Sequence, residues 1–207
     1  MKTYHVGILL FDGVDALDFV GPYEVFNMTT FHKKDVKELL TNYLDNKPFK
    51  VYTVSQEGKP IKANHGLMIT PDYCFQKAPI FDLILVPGGT LKTIQTVLKI
   101  KEVVEWVARN NDAMIASVCT GAIILAESGL LKGKRATTNR AALGILTRAY
   151  PYTEVVKDVK YVDEGKVITS AGVSSGINMA LYIVQKLVGE EASKRTAETI
   201  EYLIEEY

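Results

Sequence analysis

Ala113-Met114-Ile115-Ala116-Ser117-Val118-Cys119-Thr120-Gly121-Ala122-Ile123-Ile124-Leu125-Ala126-Glu127-Ser128-Gly129 is the stretch on which the fold turns. Residues 113–118 form a short apolar run of the kind expected for a strand covered on both faces. Ala122, Ile123, Leu125 and Ala126 then continue at helical spacing until Gly129 stops the turn. Cys119 stands at the corner, at the start of a helix. Unpaired backbone N–H groups and the positive end of the helix dipole favour a thiolate there, so the position predicts a lowered thiol pKa and a nucleophilic sulfur. The competing reading is a buried and inert cysteine. Strand-to-helix corners are where strained nucleophile elbows occur, which favours function.

Working outward, residues 4–11 read as a first strand, with Asp12-Gly13 as a turn. Pro22 reads as an early position of a helix running through Phe26, because proline is tolerated in a first helical turn. Asp15, Asp18 and Glu24 are three acids near this junction, and in an open α/β sheet such junctions lie at the ligand-binding ends of the strands. For Asp15 and Glu24 a capping or first-turn role is preferred. Residues 29–48 are polar, with Val36, Leu39, Leu40 and Leu44 at helical spacing, which predicts a surface helix. Residues 49–55 predict a second strand, and residues 61–70 a hairpin-like excursion broken at Gly66. His65 reads as an exposed loop residue and Cys74 as structural.

Residues 82–86 form the next buried strand and end in Pro87-Gly88-Gly89-Thr90. Two glycines there mark a sharp turn or a close approach whose N–H groups could line an anion site; an ordinary loop explains the fragment equally well. Helical material at 91–110 precedes the cysteine corner. After it come a loop at 129–134, a short strand at 135–137 and a helix at 140–149. Strands at 155–162 and 166–170 turn at Gly165, and helices are predicted at 173–188 and 190–207. The run Ala171-Gly172-Val173-Ser174-Ser175-Gly176 lacks a complete nucleotide fingerprint and reads as close helix-to-strand packing. Alternating strands and helices predict an α/β, doubly wound sandwich with a mostly parallel sheet, as a single domain over 1–207.

Composition narrows the function. The 207 residues are 47% hydrophobic, enough for one substantial core, and 24 basic residues balance 24 acidic ones with no basic block. That argues against nucleic-acid binding by charge. No run of about 20 apolar residues occurs and the N-terminus is not a signal peptide, so the chain reads as soluble, cytoplasmic and without membrane partners. Two cysteines in unlike contexts and three scattered histidines indicate neither a disulfide framework nor a metal site.

Three stretches resemble the ThiJ/PfpI superfamily when taken together. They are residues 17–26 (LDFVGPYEVF), residues 85–90 (LVPGGT), and residues 117–122 (SVCTGA) followed by residues 129–138 (GLLKGKRATT). Within that superfamily they look most like isonitrile hydratases and the amidotransferase-like domains of some AraC-type regulators, and residues 171–180 extend the resemblance over nearly the whole chain. The resemblance implies a flavodoxin-like fold, a homodimer, and no metal or organic cofactor. It makes Cys119 the nucleophile, Asp18 the acid beside it and Thr120 its neighbour in the site. Gly88, Gly89, Thr90, Thr120 and Asn139 then supply candidate oxyanion or substrate contacts. A carboxylic acid beside a thiolate has a raised pKa, so Asp18 could stay protonated and deliver a proton.

One departure stands out. Several superfamily members have Thr-Thr-His where this chain reads Thr137-Thr138-Asn139-Arg140. Asn139 orients by hydrogen bonding but is no base at neutral pH, which weakens a protease or amidase reading and leaves a cysteine–aspartate mechanism. The stretch carries no helix-turn-helix domain, which transcription regulation of the AraC type would need. Two readings remain: a small-molecule enzyme of the isonitrile hydratase type, and a non-enzymatic sensor or binding protein working through oxidation of Cys119.

Overall fold

The computed structural model describes residues 2–42 and 44–203. In chain order the elements are β1 (Tyr4–Leu9), α1 (Ala16–Asn27), α2 (Asp35–Thr41), β2 (Phe49–Ser55), β3 (Ile61–Lys62), β4 (Met68–Ile69), β5 (Tyr73–Cys74) and β6 (Leu83–Val86). There follow α3 (Leu91–Val97), α4 (Lys101–Arg109), β7 (Met114–Ser117), α5 (Gly121–Glu127), β8 (Arg135–Ala136), α6 (Leu143–Ala149), β9 (Glu154–Val155), β10 (Tyr161–Asp163), β11 (Val167–Ser170), α7 (Ser175–Val188) and α8 (Glu190–Thr199).

Seven strands form one sheet in the order β10-β11-β7-β6-β1-β2-β5, parallel throughout except for the antiparallel edge strand β10. The apolar run of β6 explains its central place. All four of its residues are buried, as expected of a strand covered by helices on both faces. The inner five strands follow the flavodoxin-like doubly wound order, with β2 on one side of β1 and β6 on the other. The chain therefore reverses direction across the sheet between β1 and β6. Such a switch point opens a crevice at the carboxyl ends of the strands, and the turns after β1, β6, β7 and β11 meet there.

Several local expectations change in the folded chain. The first helix starts at Ala16, and Pro22 lies inside it, where it cannot donate to the carbonyl of Asp18. Packing outweighs this loss: Phe19, Gly21, Pro22, Val25 and Phe26 are all buried on this helix. The surface helix expected over 29–48 shrinks to α2, which buries no residue, while Leu44 is buried beyond its end. The strand expected at 155–162 divides into β9 and β10, because Asp158 between them takes a left-handed φ of 57°. Beyond Thr199 the last helix gives way to a turn in which Glu201 has φ 53°, and residues 204–207 of that expected helix lie outside the described residues. The 61–70 excursion is the antiparallel pair β3 and β4, and Cys74 sits on the short edge strand β5.

The close packing expected of 171–176 is present. A methyl group on Gly176 would lie 3.0 Å from both methyls of Val118. This approach brings α7 down onto the strand that ends at the cysteine corner.

Candidate active site

Cys119 follows β7 directly and has a left-handed φ of 57°, an uncommon conformation for a non-glycine residue. Two neighbours hold it there. Its N–H donates to the carbonyl of Ala171 after β11 at 2.9 Å, and its own carbonyl accepts the Thr138 hydroxyl at 2.7 Å. Strain of this kind costs about 1–3 kcal/mol and persists only where the surroundings fix it. Gly121, two residues on, packs so tightly that a methyl group would collide with the carbonyl oxygen of Val86. The helix α5 can thus start only where a glycine allows β6 to pass beneath it.

Asp18 lies in the first turn of α1 and has 0% of its surface exposed. Its Oδ2 accepts the N–H of Gly88 at 2.9 Å, while Oδ1 has no nitrogen or oxygen partner. A carboxylate oxygen of Asp18 also lies within 4.8 Å of the Cys119 sulfur. Gly88 is needed at this junction, since a methyl group there would lie 2.5 Å from Thr120 Oγ1 and 2.9 Å from Asp18 Oδ2. The carbonyl of Gly88 accepts the Asp15 N–H at 2.9 Å, which ties the turn after β1 to the turn after β6.

Thr120 closes the other side of that turn. Its hydroxyl donates to the Gly89 carbonyl at 2.7 Å and accepts the Gly89 N–H at 2.9 Å. The Gly88 and Gly89 amides thus hold the site together through side chains. Thr90 caps α3, its Oγ1 accepting the Thr93 N–H at 3.2 Å. Asn139 is pinned by the Ala141 N–H, which donates to its Oδ1 at 2.9 Å, and its side chain shares the cavity wall with Cys119, where it favours the charged sulfur. It is an oriented donor at the place where a histidine base was missing from the sequence.

These groups surround a cavity of about 190 Å³, lined by Cys119, Thr120, Gly89, Thr90 and Asn139 among the residues singled out from sequence. Asp18 and Gly88 sit behind that lining. Asp15, for which a capping role was preferred, completes the wall together with Leu91, Ala141, Ala142 and Val173, which the sequence reading missed. Asp15 does occupy the N-cap position of α1, but its side chain makes no capping bond; its Oδ1 accepts the Asn64 amide at 2.9 Å instead. Glu24 lies well beyond the first turn of that helix. The spacing of Asp15 one turn before Asp18 was the one available signal. Ligand atoms of Asp15, Asp18 and Cys119 lie within 4.8 Å of one another, so two carboxylates and a sulfur could in principle share a cation.

The electrostatics correct one expectation. Burial pushes the Cys119 thiol up to about 11, and the neighbouring Asp18 charge adds to this, while the Thr120 N–H and the Asn139 side chain pull the other way. The helix end does not prevail, since α5 has only seven residues and Cys119 is 3% exposed. Burial likewise raises Asp18, to about 7, against the opposing Gly88 N–H. As a pair, the two groups lose their first proton near 7 and keep the second on sulfur until well above neutral pH.

The profile of the DJ-1/PfpI family matches residues 4–186. The chain is 32% identical over 202 residues to an isonitrile hydratase of Pseudomonas putida, covering 95% of this chain and 78% of that protein. It is 25% identical to the HTH-type transcriptional regulator CdhR of Pseudomonas aeruginosa, covering 92% of this chain but only 52% of the regulator. Among solved structures, a ThiJ/PfpI family protein from Pseudomonas syringae superposes with a TM-score of 0.82 at 25% identity, over 100% of this chain and 78% of that one. Drosophila melanogaster DJ-1beta shares the fold at a TM-score of 0.80 and 21% identity, over 98% of this chain and 100% of that one. Among the described residues no helix is long and apolar enough to cross a membrane.

Proposed function

This chain belongs to the DJ-1/PfpI family, and from that premise we propose that it is a cysteine-dependent enzyme that hydrates a small isonitrile to an N-substituted formamide. The observation that carries this reading is the contact between Cys119 and the fully buried carboxyl of Asp18 beside a cavity of about 190 Å³. A thiol addition to an isonitrile needs a sulfur nucleophile and a proton delivered to the same carbon, and these two side chains supply both.

The steps balance on this pair. Asp18 takes the thiol proton and passes it to the terminal isonitrile carbon as the sulfur forms the S–C bond, which gives a thioimidate on Cys119. Water then adds to that carbon; Asp18 accepts its proton and hands it to nitrogen. In the last step the hydroxyl proton returns through Asp18 to sulfur as the C–S bond breaks, releasing the formamide. Asn139 and the Thr120 N–H stabilise the sulfur while it carries negative charge, and the Thr120 hydroxyl keeps the Gly89 turn in place. Gly88 fixes Asp18, and Thr90 lines the cavity. The scheme uses no metal or organic cofactor.

The sensor reading asks for an accessible thiol of low pKa. A cysteine that is 3% exposed, with a thiol pushed up to about 11, favours chemistry in which the proton moves with the sulfur–carbon bond. We include a homodimer in the proposal on the strength of the family. Turnover of a panel of neutral isonitriles, with the formamide identified by mass, tests the activity. Wild-type turnover abolished in Cys119→Ala supports it, and no turnover across the panel moves the assignment to the sensor or to another carbon electrophile.

A further inference from the structure

Asp15 is placed to choose among substrates by charge. Among the described residues that line the cavity it is the one with a charged side chain, and no lysine, arginine or histidine joins it. Its carboxylate has a ligand oxygen within 4.8 Å of the Cys119 sulfur and the Asp18 carboxyl. One oxygen is occupied by the neutral Asn64 amide, which positions the group without cancelling its charge. Its electrostatic reach is visible on both partners, since Asp15 raises the pKa of Asp18 and of Cys119. At the mouth of the same cavity stand two apolar side chains, Leu91 at 39% exposure and Val173 at 37%.

We infer that Asp15 is a specificity-determining residue, which makes the site favour small substrates carrying an ammonium or neutral side group and turn away those carrying a carboxylate or phosphate. The size limit follows from volume: liquid water takes about 30 Å³ per molecule, so a cavity of about 190 Å³ admits on the order of six small heavy-atom groups. A negative wall with no basic counterpart penalises an anion twice, through direct repulsion and through loss of its hydration. A cation gains the attraction, and any longer chain leaves the cavity past Leu91 and Val173. This inference rests on the hydratase reading only for the identity of the electrophile. The charge rule concerns any reagent that must reach the sulfur.

Three methanethiosulfonates of similar size, carrying an ammonium, a methyl or a sulfonate group, test it without reference to isonitriles. Each transfers its thioalkyl group to the Cys119 sulfur and releases methanesulfinate, and peptide mass analysis separates Cys119 from Cys74. The expected order of rate at Cys119 is ammonium, then methyl, then sulfonate, with about tenfold between the extremes assignable to Asp15. In Asp15→Asn, which keeps an oxygen for the Asn64 amide, the ammonium-to-sulfonate ratio should fall by about that factor. Asp15→Ser is the second variant, and thermal melting confirms that both fold. The same ratio in wild type and both folded variants overturns the inference. Isonitriles bearing ammonium and carboxylate groups form the second arm. If the thiosulfonate ratio falls as expected and no isonitrile turns over, the charge rule stands and the hydratase reading fails.

Discussion

Asp18 lies behind the cavity wall with a carboxylate oxygen within 4.8 Å of the Cys119 sulfur, and both ionisations are raised: burial first, with the Asp15 charge adding to it at the carboxyl and the Asp18 charge at the thiol, brings the carboxyl to about 7 and the thiol to about 11. A buried carboxyl oxygen without a nitrogen or oxygen partner is costly to keep ionised, and the sulfur is the group that can share its proton. The pair acts as one acid that loses a single proton near neutral pH and then holds the other on sulfur. The predictions below follow from that coupling and from the backbone that enforces it.

The raised carboxyl makes stability depend on pH. The Asp18 pKa rises from 3.8 to about 7 on folding, so between those values the folded protein keeps a proton that the unfolded chain releases. Its contribution is present in full below about pH 4 and is lost as pH rises through about 7, up to about 4 kcal/mol across the window. Thermal melting of Asp18→Asn should lose that slope and exceed the wild type above about pH 7. A parallel decline in both proteins would show that the carboxyl is not buried as described.

Thiol chemistry and hydration should move in opposite directions in the same variant. Removing the Asp18 charge lowers the Cys119 pKa, so alkylation of Cys119 by iodoacetamide near pH 8 should be faster in Asp18→Asn than in the wild type. In the wild type Cys119 should alkylate more slowly than a free thiol. Rapid wild-type alkylation with a midpoint below about 8.5 would restore the thiolate that the helix end alone suggests.

Asn139→Ala should raise the Cys119 pKa further, since it removes a hydrogen bond that favours the charged sulfur, and should slow turnover about tenfold at neutral pH. Asn139→Gln tests positioning, because the longer side chain carries the same amide without the hold of the Ala141 N–H at its present place. Equal kcat/KM in wild type and Asn139→Ala would remove the residue from the mechanism.

Gly121→Ala and Thr120→Val probe the corner. A methyl group at Gly121 meets the Val86 carbonyl, a backbone atom of the central strand, and overpacking of that kind costs about 1–3 kcal/mol or more. Thr120→Val strips the Gly89 amide and carbonyl of their buried partner, at about 1–3 kcal/mol, while Thr120→Ser keeps the hydroxyl and should stay near the wild type. Denaturant melts compare all three. A stable Gly121→Ala would mean that α5 can move away from β6.

The oligomeric state is a separate matter. Light scattering should give about twice the chain mass of 22.9 kDa, and a mass of one chain at all concentrations would remove the dimer.

Much of this was readable from residue pattern. The strand–corner–helix at 113–129 announced itself because a buried apolar run is followed by helical spacing and a glycine stop, and the strand expected at 49–55 is β2. Proline misled the placement of α1. A preference for first helical turns is local, whereas the burial of Phe19, Val25 and Phe26 is a property of the assembled core. The proximity of Asp18 to Cys119 depends on β1, β6 and β7 being neighbours, which no local spacing encodes; the residues placed three acids at the ligand-binding end of the sheet, and the resemblance singled out Asp18. The direction of the thiol shift was misjudged for the same reason. A helix end is visible in sequence, but burial, the largest cause of the shift, is not. Asp15 was set aside as a cap because an acid before a helix ordinarily is one; the Asn64 amide that draws its side chain away comes from the excursion between β3 and β4.

The most direct test of the Asp18–Cys119 pair is kcat/KM for a responsive neutral isonitrile in the wild type and in Asp18→Asn across pH. The wild-type rate should rise with pH through about 7, as the pair loses its first proton and the remaining one can move from sulfur to carbon. In Asp18→Asn that rise should vanish and the rate should fall about 10²–10⁴-fold with the fold intact. An Asp18→Asn enzyme that hydrates the isonitrile as fast as the wild type, with the same pH profile, would contradict the account.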